Sequence, residues 1–183
     1  MRKEEFGMKK FLVLAALIVS VLSLAAVNLD IFGNYHFTLS ASPTAAASIS
    51  YLSFGLQAAY EVTEGVQIGG GVGLAYFLPD ATTANLLLQA ATPTQWALDF
   101  VVSAKYYIPI NDFSSVMIKG YGGLSIPGFK EFDKLGYIVG AGVFYVFDMV
   151  DFNVGLGAGI EMRTYKSTSI TSIPVGVIAS IKF

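Results

Sequence analysis

From residue 27 to the end, the chain alternates apolar and polar side chains with a period of two, the pattern of strands whose two faces meet different environments. In 27–41 the odd positions are Val27, Leu29, Ile31, Gly33, Tyr35, Phe37 and Leu39. Against them stand Asn28, Asp30, Phe32, Asn34, His36, Thr38 and Ser40. Segments 50–62, 66–78, 96–108, 116–126, 135–147, 152–164 and 171–183 repeat the alternation, giving eight strands. The links after strands two, four and six (63–65, 109–115 and 148–151) are short, whereas 42–49, 79–95, 127–134 and 165–170 are mostly longer. Alternating short turns and long loops is the asymmetry expected of a membrane barrel.

Alternation alone also fits a soluble barrel with its oily face inside, so the contents of the faces must decide. Asp30, Glu61, Asp99, Lys105, Lys119, Glu161, Arg163 and Lys182 all fall on the polar face, and the opposite face carries no charge. A Lys or Arg facing lipid at mid-bilayer costs about 2–4 kcal/mol, which accounts for the exclusion. The polar face is also rich in Gly and Ser, as in Gly69, Gly71, Gly73 and Gly155, Gly157, Gly159. In a narrow eight-stranded barrel such residues leave space for long charged side chains from across the lumen. Outer-face aromatics gather at the strand ends: Tyr60, Tyr106, Tyr145, Phe147, Phe152 and Phe183 toward one rim, Phe37, Tyr76, Trp96 and Tyr137 toward the other.

Composition agrees, with 54% hydrophobic, 13% charged and a mean hydropathy of +0.62. Soluble domains carry roughly a quarter charged residues. The fold class expected is therefore all-β, an eight-stranded antiparallel up-and-down transmembrane barrel over 27–183. Residues 1–26 read as a cleavable signal peptide: Met8-Lys9-Lys10, an apolar run over 11–26, and small residues at Ser23, Ala25 and Ala26. Met8 reads as the more natural start. Without the leader the chain holds seven basic and eleven acidic residues, which gives nucleic acid nothing to bind. The absence of cysteine excludes disulfides, thiolate metal sites and a lipid-modified amino-terminal cysteine.

The leader, the eight strands, the glycine-aromatic stretch Lys119-Gly120-Tyr121-Gly122-Gly123 and the terminal Phe183 together resemble the OmpA/OmpX-like small outer-membrane barrels, and the chain also looks like the OmpW-like group. The resemblance implies export through the inner membrane to the bacterial outer membrane. It also implies contact with outer-membrane lipids, a monomer, and an assembly signal at Phe183 and Ile181 read by the barrel-assembly machinery. Strand eight departs from the usual signal, with Ile178 where glycine is common and Pro174 within the strand.

Candidate chemistry is sparse. The run Ile68-Gly69-Gly70-Gly71-Val72-Gly73 lacks the following helix that a phosphate loop needs. His36, the one histidine, faces inward near Asn34 and Thr38, with Asp99 a possible neighbour. Some eight-stranded outer-membrane barrels are lipid A acyltransferases or deacylases with a histidine and a serine or carboxylate, which would draw in Ser40 or Ser48. A polar lumen residue is the expectation instead. No catalytic, metal or cofactor site is assigned and no enzyme is expected.

The site expected is a structural ion-pair network inside the lumen. Asp30, Glu61, Lys105, Lys119 and Lys182 form a lower set, and His36, Asp99, Glu161 and Arg163 an upper set, since isolated buried charges are costly. The loop 79–95 carries the apolar, helix-favouring stretch 84–91, which would cap the mouth, enter lipid, contact a partner, extend a strand or pack on the rim. The leading function is a structural or surface-interaction membrane protein with a packed polar lumen and an unassigned surface partner. The alternative is a narrow pore or lateral path for small or hydrophobic solutes, and the third reading is a lipid A-modifying enzyme.

Overall fold

The computed structural model describes residues 27–42, 44–128 and 134–182. Residues 1–26, where a leader is expected, and Phe183, where the assembly signal is expected, lie outside them. The elements are β1 (Val27–Ser42), a 3-10 turn (Thr44–Ser48), β2 (Tyr51–Thr63), β3 (Val66–Phe77), α1 (Ala81–Leu88), β4 (Trp96–Asn111), β5 (Ser114–Pro127), β6 (Gly136–Asp148), β7 (Phe152–Tyr165) and β8 (Thr168–Lys182). Each strand pairs antiparallel with the next and β8 pairs with β1, so the sheet closes on itself and exposes no edge.

Register fixes the barrel's shape. The row of paired residues Asn28, Ala59, Gly69, Ser103, Tyr121, Gly140, Glu161 and Ser172 returns to β1 at Thr38, ten residues beyond its start. Such a stagger requires strands tilted by roughly 35–45° to the axis. Along β6 the outer face runs from Tyr137 to Phe147, which at that tilt spans about 25 Å of height, the thickness of an outward apolar band. Ile31, Val102, Tyr137 and Leu156 on this face are exposed, Val102 by 67%. A belt of exposed apolar side chains around a closed barrel with a charged interior is stable only with hydrocarbon around it. This is a membrane-spanning barrel.

Several strands run further than the alternation indicates. The β4–β5 link shrinks to Asp112 and Phe113, and β8 begins at Thr168, leaving only Lys166 and Ser167 between β7 and β8. The expected longer link at 165–170 is therefore corrected to a two-residue turn, with Lys166 at φ 49°. At the opposite rim Gly65 takes φ 73° to reverse the chain between β2 and β3, a conformation that costs glycine little. Pro174 sits within β8 without a bulge, but the β7–β8 ladder omits the pairs opposite Ile173 and Pro174, as a residue lacking an amide hydrogen dictates.

Inward glycines make room chiefly for aromatics of neighbouring strands rather than for charges from across the lumen. A side chain at Gly140 would run into the Tyr121 ring, and one at Gly136 into Tyr165. Ile178, where small residues were expected, is buried against Met117 and Val146.

Candidate functional site

The lumen is filled in tiers, and its upper tier is ionic. Arg163 on β7 points into the barrel and is 1% exposed. Its Nη1 and Nη2 donate to the two carboxylate oxygens of Asp99 on β4 at 2.9 and 2.8 Å. Nη2 and Nε reach Glu161 Oε1 at 3.3 and 3.4 Å, and Nη1 also donates to Ser125 Oγ and Tyr165 Oη. Tyr51 and Tyr121 each donate to Glu161 at 2.7 Å, and Ser125 donates to Asp99 at 2.6 Å. A planar fork of five donors suits this bidentate arrangement in a way a lysine ammonium would not.

His36 joins the same layer. Its Nε2 lies 2.8 Å from Ser53 Oγ, its Nδ1 lies 3.3 Å from Ser172 Oγ and 3.8 Å from Glu161, and its ring stacks on Tyr51 at 4.0 Å. The serine partners are thus Ser53 and Ser172. Ser40 and Ser48 are exposed, because the β1 bulge at Thr38/Ser40 and the 3-10 turn carry them away from the lumen. Serine, imidazole and carboxylate stand in the order of a nucleophile, base and orienting acid, but Asn34 also donates to Ser53 Oγ, at 3.3 Å.

Below a central gap, Lys105 pairs with Asp30 and also donates to Gln67 at 3.4 Å, while Ser180 donates to the other oxygen of Asp30 at 2.7 Å. Beside this pair Met117, Val146 and Ile178 pack with Phe32, Tyr107 and Phe144. The lumen is therefore not uniformly polar, because bulky apolar side chains fill the inward positions that the ions leave. The gap between the tiers is a cavity of about 50 Å³ lined in part by Asn34, Ser53, Gln57, Lys119, Tyr121 and Phe144. It has room for a few waters, far below the roughly 300–1,000 Å³ of a small-molecule site.

Seven of the nine charged or titratable residues assigned to the network lie inside: Asp30, His36, Asp99, Lys105, Lys119, Glu161 and Arg163. Glu61 and Lys182 do not, and their assignment is corrected. Both have inward parity, but they lie at the last rungs of the short-turn rim, where the lumen opens to water, and both are exposed. Glu61 instead accepts the Gly65 amide at 3.2 Å across the turn. Ile181 is on the outer face at the same rim.

Lys119 is inside, 6% exposed, yet among the described residues no carboxylate lies within ion-pair distance of it. Its ammonium sits over the Phe32 and Tyr121 rings at 5.1 and 5.7 Å. Lys119→Met should therefore change unfolding free energy in vesicles by less than about 1 kcal/mol, since a cation–π contact and cavity hydration are what it loses. A loss several times larger would show that Lys119 is a full member of the ionic network.

The outer mouth is closed by α1. Leu87 and Leu88 are fully buried against Ile49, Tyr51, Phe77 and Ile170, and Thr168 Oγ1 donates to the Leu87 carbonyl at 2.6 Å. Of the five placements open to the apolar stretch, the structure selects the cap. The helix starts at Asp80, whose carboxylate accepts the Thr82 and Thr83 amides and the Thr83 hydroxyl. Those bonds, the hydroxyl's first, hold the Asp80 carboxyl below its ordinary value. A lowered folded value means the contribution is complete at neutral pH and is lost as pH falls through that value. Protease cutting within 79–95 should then rise when vesicles go from pH 7 to about pH 3, and Asp80→Ala should show the elevated rate already at pH 7.

Sequence reading missed the hydroxyls that complete these layers, Tyr51, Ser53, Tyr121, Ser125, Tyr165 and Ser172. Inward parity flagged the direction of all but Tyr165, which read as loop and is strand because β7 runs one residue further, but nothing local to each residue flags its partner. Among the described residues no cluster of His, Asp and Glu could hold a metal ion.

No family profile matches the chain, and no curated protein matches it. Among solved structures, a de novo designed transmembrane β-barrel is similar at 10% identity and a TM-score of 0.42, covering 84% of this chain and 95% of that one. The crystal structure of Ail, the attachment invasion locus protein of Yersinia pestis, is similar at 10% identity and a TM-score of 0.40, covering 87% and 100%. Ail in a phospholipid bilayer nanodisc gives 14% identity and a TM-score of 0.43, covering 87% and 99%. At these identities and scores the likeness carries no inference about activity.

Proposed function

We propose that the protein is a closed outer-membrane barrel that acts as a structural or surface-interaction element rather than as a channel. The observation carrying this reading is the double closure of the lumen: α1 docked over the mouth, and beneath it the Arg163 layer spanning the interior. A charged, hydroxyl-rich layer with its donors matched to acceptors is rigid and leaves no conduit for solute. On this reading the chain reaches the outer membrane by export and is inserted by barrel-assembly machinery that reads Ile181 and Phe183. It acts there as a monomer, presenting its long-loop rim to partners.

The same reading makes Ser53, His36 and Glu161 structural. A substrate would have to pass α1 and enter a cavity the size of a few waters. Reconstitution in planar bilayers tests the proposal, with negligible conductance expected together with labelling of the 79–95 loop on intact cells. Stable single-channel conductance would overturn it in favour of a narrow pore. Lipid A modification that is lost in His36→Ala would overturn it in favour of an enzyme.

A further inference from the structure

The outer face does not end at the same height around the short-turn rim. Its girdle there is Tyr60, Tyr106, Tyr145, Phe147 and Phe152. Below Tyr60 the outer face of β2 carries one more apolar residue, Val62, before the polar turn at Thr63, Glu64 and Gly65. On β4, by contrast, apolar residues continue past Tyr106 to Ile108 and Ile110, which lie up to about 10 Å further along the barrel axis at a strand tilt near 40°. Phe113 at the β4–β5 tip is 76% exposed, and Val150 at the β6–β7 tip is 92% exposed with Met149 beside it. Phe113 and Val150 are the most exposed large apolar side chains of the described residues. The Asp148 amide donates to the Phe113 carbonyl at 2.9 Å, so the two turns form one surface.

We infer that this one-sided apolar edge is a lipid-insertion surface, seated in the acyl–headgroup boundary of the leaflet at the short-turn rim. The barrel then sits deeper on its β4–β7 side than on its β2–β3 side. Continuity selects the occupant: Ile110, Phe113, Met149 and Val150 extend the lipid-facing girdle beyond Ile108, Phe147 and Phe152, interrupted on that face only by Asn111 and Ser114, which hydrogen-bond to each other. Asp112, Asp148 and Asp151 lie in the same turns and would meet the headgroups once the apolar tips are seated. Apolar side chains toward the acyl boundary with charges at headgroup level are the arrangement of an interfacial segment. The carboxylates also disfavour anionic headgroups and suit amine-bearing zwitterionic ones.

The chain has no cysteine and one tryptophan, which makes depth measurable. Single variants Phe113→Cys, Val150→Cys, Tyr106→Cys and Glu64→Cys of the full chain are labelled with a fluorophore and folded into phosphatidylethanolamine–phosphatidylcholine vesicles. Part of the lipid is brominated near the headgroup, and folding of each variant is checked by heat-modifiable gel mobility. Quenching at positions 113 and 150 is expected to match position 106 and to exceed position 64 by about threefold, with aqueous iodide giving the reverse order. Positions 113 and 150 behaving like 64 would place them in water and overturn the inference. Protection from both quenchers that disappears as protein is diluted in the membrane would also overturn it, in favour of contact between copies.

An unlabelled readout comes from Trp96 at the far end of β4. Replacing Phe113 and Val150 with Ser should release that edge into water, draw Trp96 toward the bilayer midplane, and raise its quenching by lipid brominated deep in the acyl chain. An unchanged Trp96 signal would count against the deeper seating.

Discussion

Arg163→Met is expected to lower the unfolding free energy of the barrel by about 3–5 kcal/mol, the largest loss of any single lumen substitution. The charge removed is almost wholly buried, and it leaves Asp99 and Glu161 facing each other in a site closed to water above by α1. Ser125, Tyr51 and Tyr121 still donate to those carboxylates, but neutral hydroxyls do not cancel two negative charges. Urea unfolding in vesicles, read as the loss of heat-modifiable gel mobility, measures the effect. In a double-variant cycle, Arg163→Met with Asp99→Asn should recover part of the loss, because one uncompensated charge disappears with its partner. Lys105→Met should cost less, since it leaves one buried carboxylate uncompensated instead of two and Asp30 keeps the Ser180 hydrogen bond. Equal stability of Arg163→Met and the native barrel would mean that the layer is a packing device without electrostatic cohesion.

The distinction between Arg163 and Glu61 also marks how far the sequence could be read. Period-two alternation assigns a face to each residue, and on that basis Asp30, Glu61, Asp99, Lys105, Glu161 and Arg163 all read as inward. Face is local, because successive side chains point to opposite sides of any strand. Height is not, because it depends on cross-strand register summed around the barrel. Asp30 pairs with Gln57, so Glu61, four residues further down β2, falls to the rim. His36, Asp99, Glu161 and Arg163 read as one upper set because the short-turn links were visible and fixed one end of each strand, whereas of the lower set only Asp30 and Lys105 meet. The partners within each tier required the ten-residue stagger, which brings β4 and β7 side chains to one level although the strands are not neighbours. The cap was legible as an apolar, helix-favouring stretch, but its destination was not. Docking depends on Thr168 and Ile170, which read as loop and become strand only because β8 starts early.

Leu87→Asp should undock α1 while leaving the barrel folded. Truncating a fully buried leucine costs about 2–5 kcal/mol, and a carboxylate in its place adds a desolvation penalty with no basic residue among the cap's described core residues. A shift of even 3 kcal/mol raises the undocked population by more than a hundredfold. The barrel itself is held by eight strand ladders that do not pass through Leu87, so heat-modifiable mobility should be unchanged. Protease added outside the vesicle should cut within 79–95 at a correspondingly faster rate and stop at the strand ends. Conductance should nevertheless stay at the native level, because the Asp99–Arg163–Glu161 layer still spans the lumen below the vacated mouth. If Leu87→Asp alone opened a stable channel, α1 would be the sole barrier and the ionic layer permeable. The combination of fast loop cleavage and silent bilayers is the outcome that two closures in series demand.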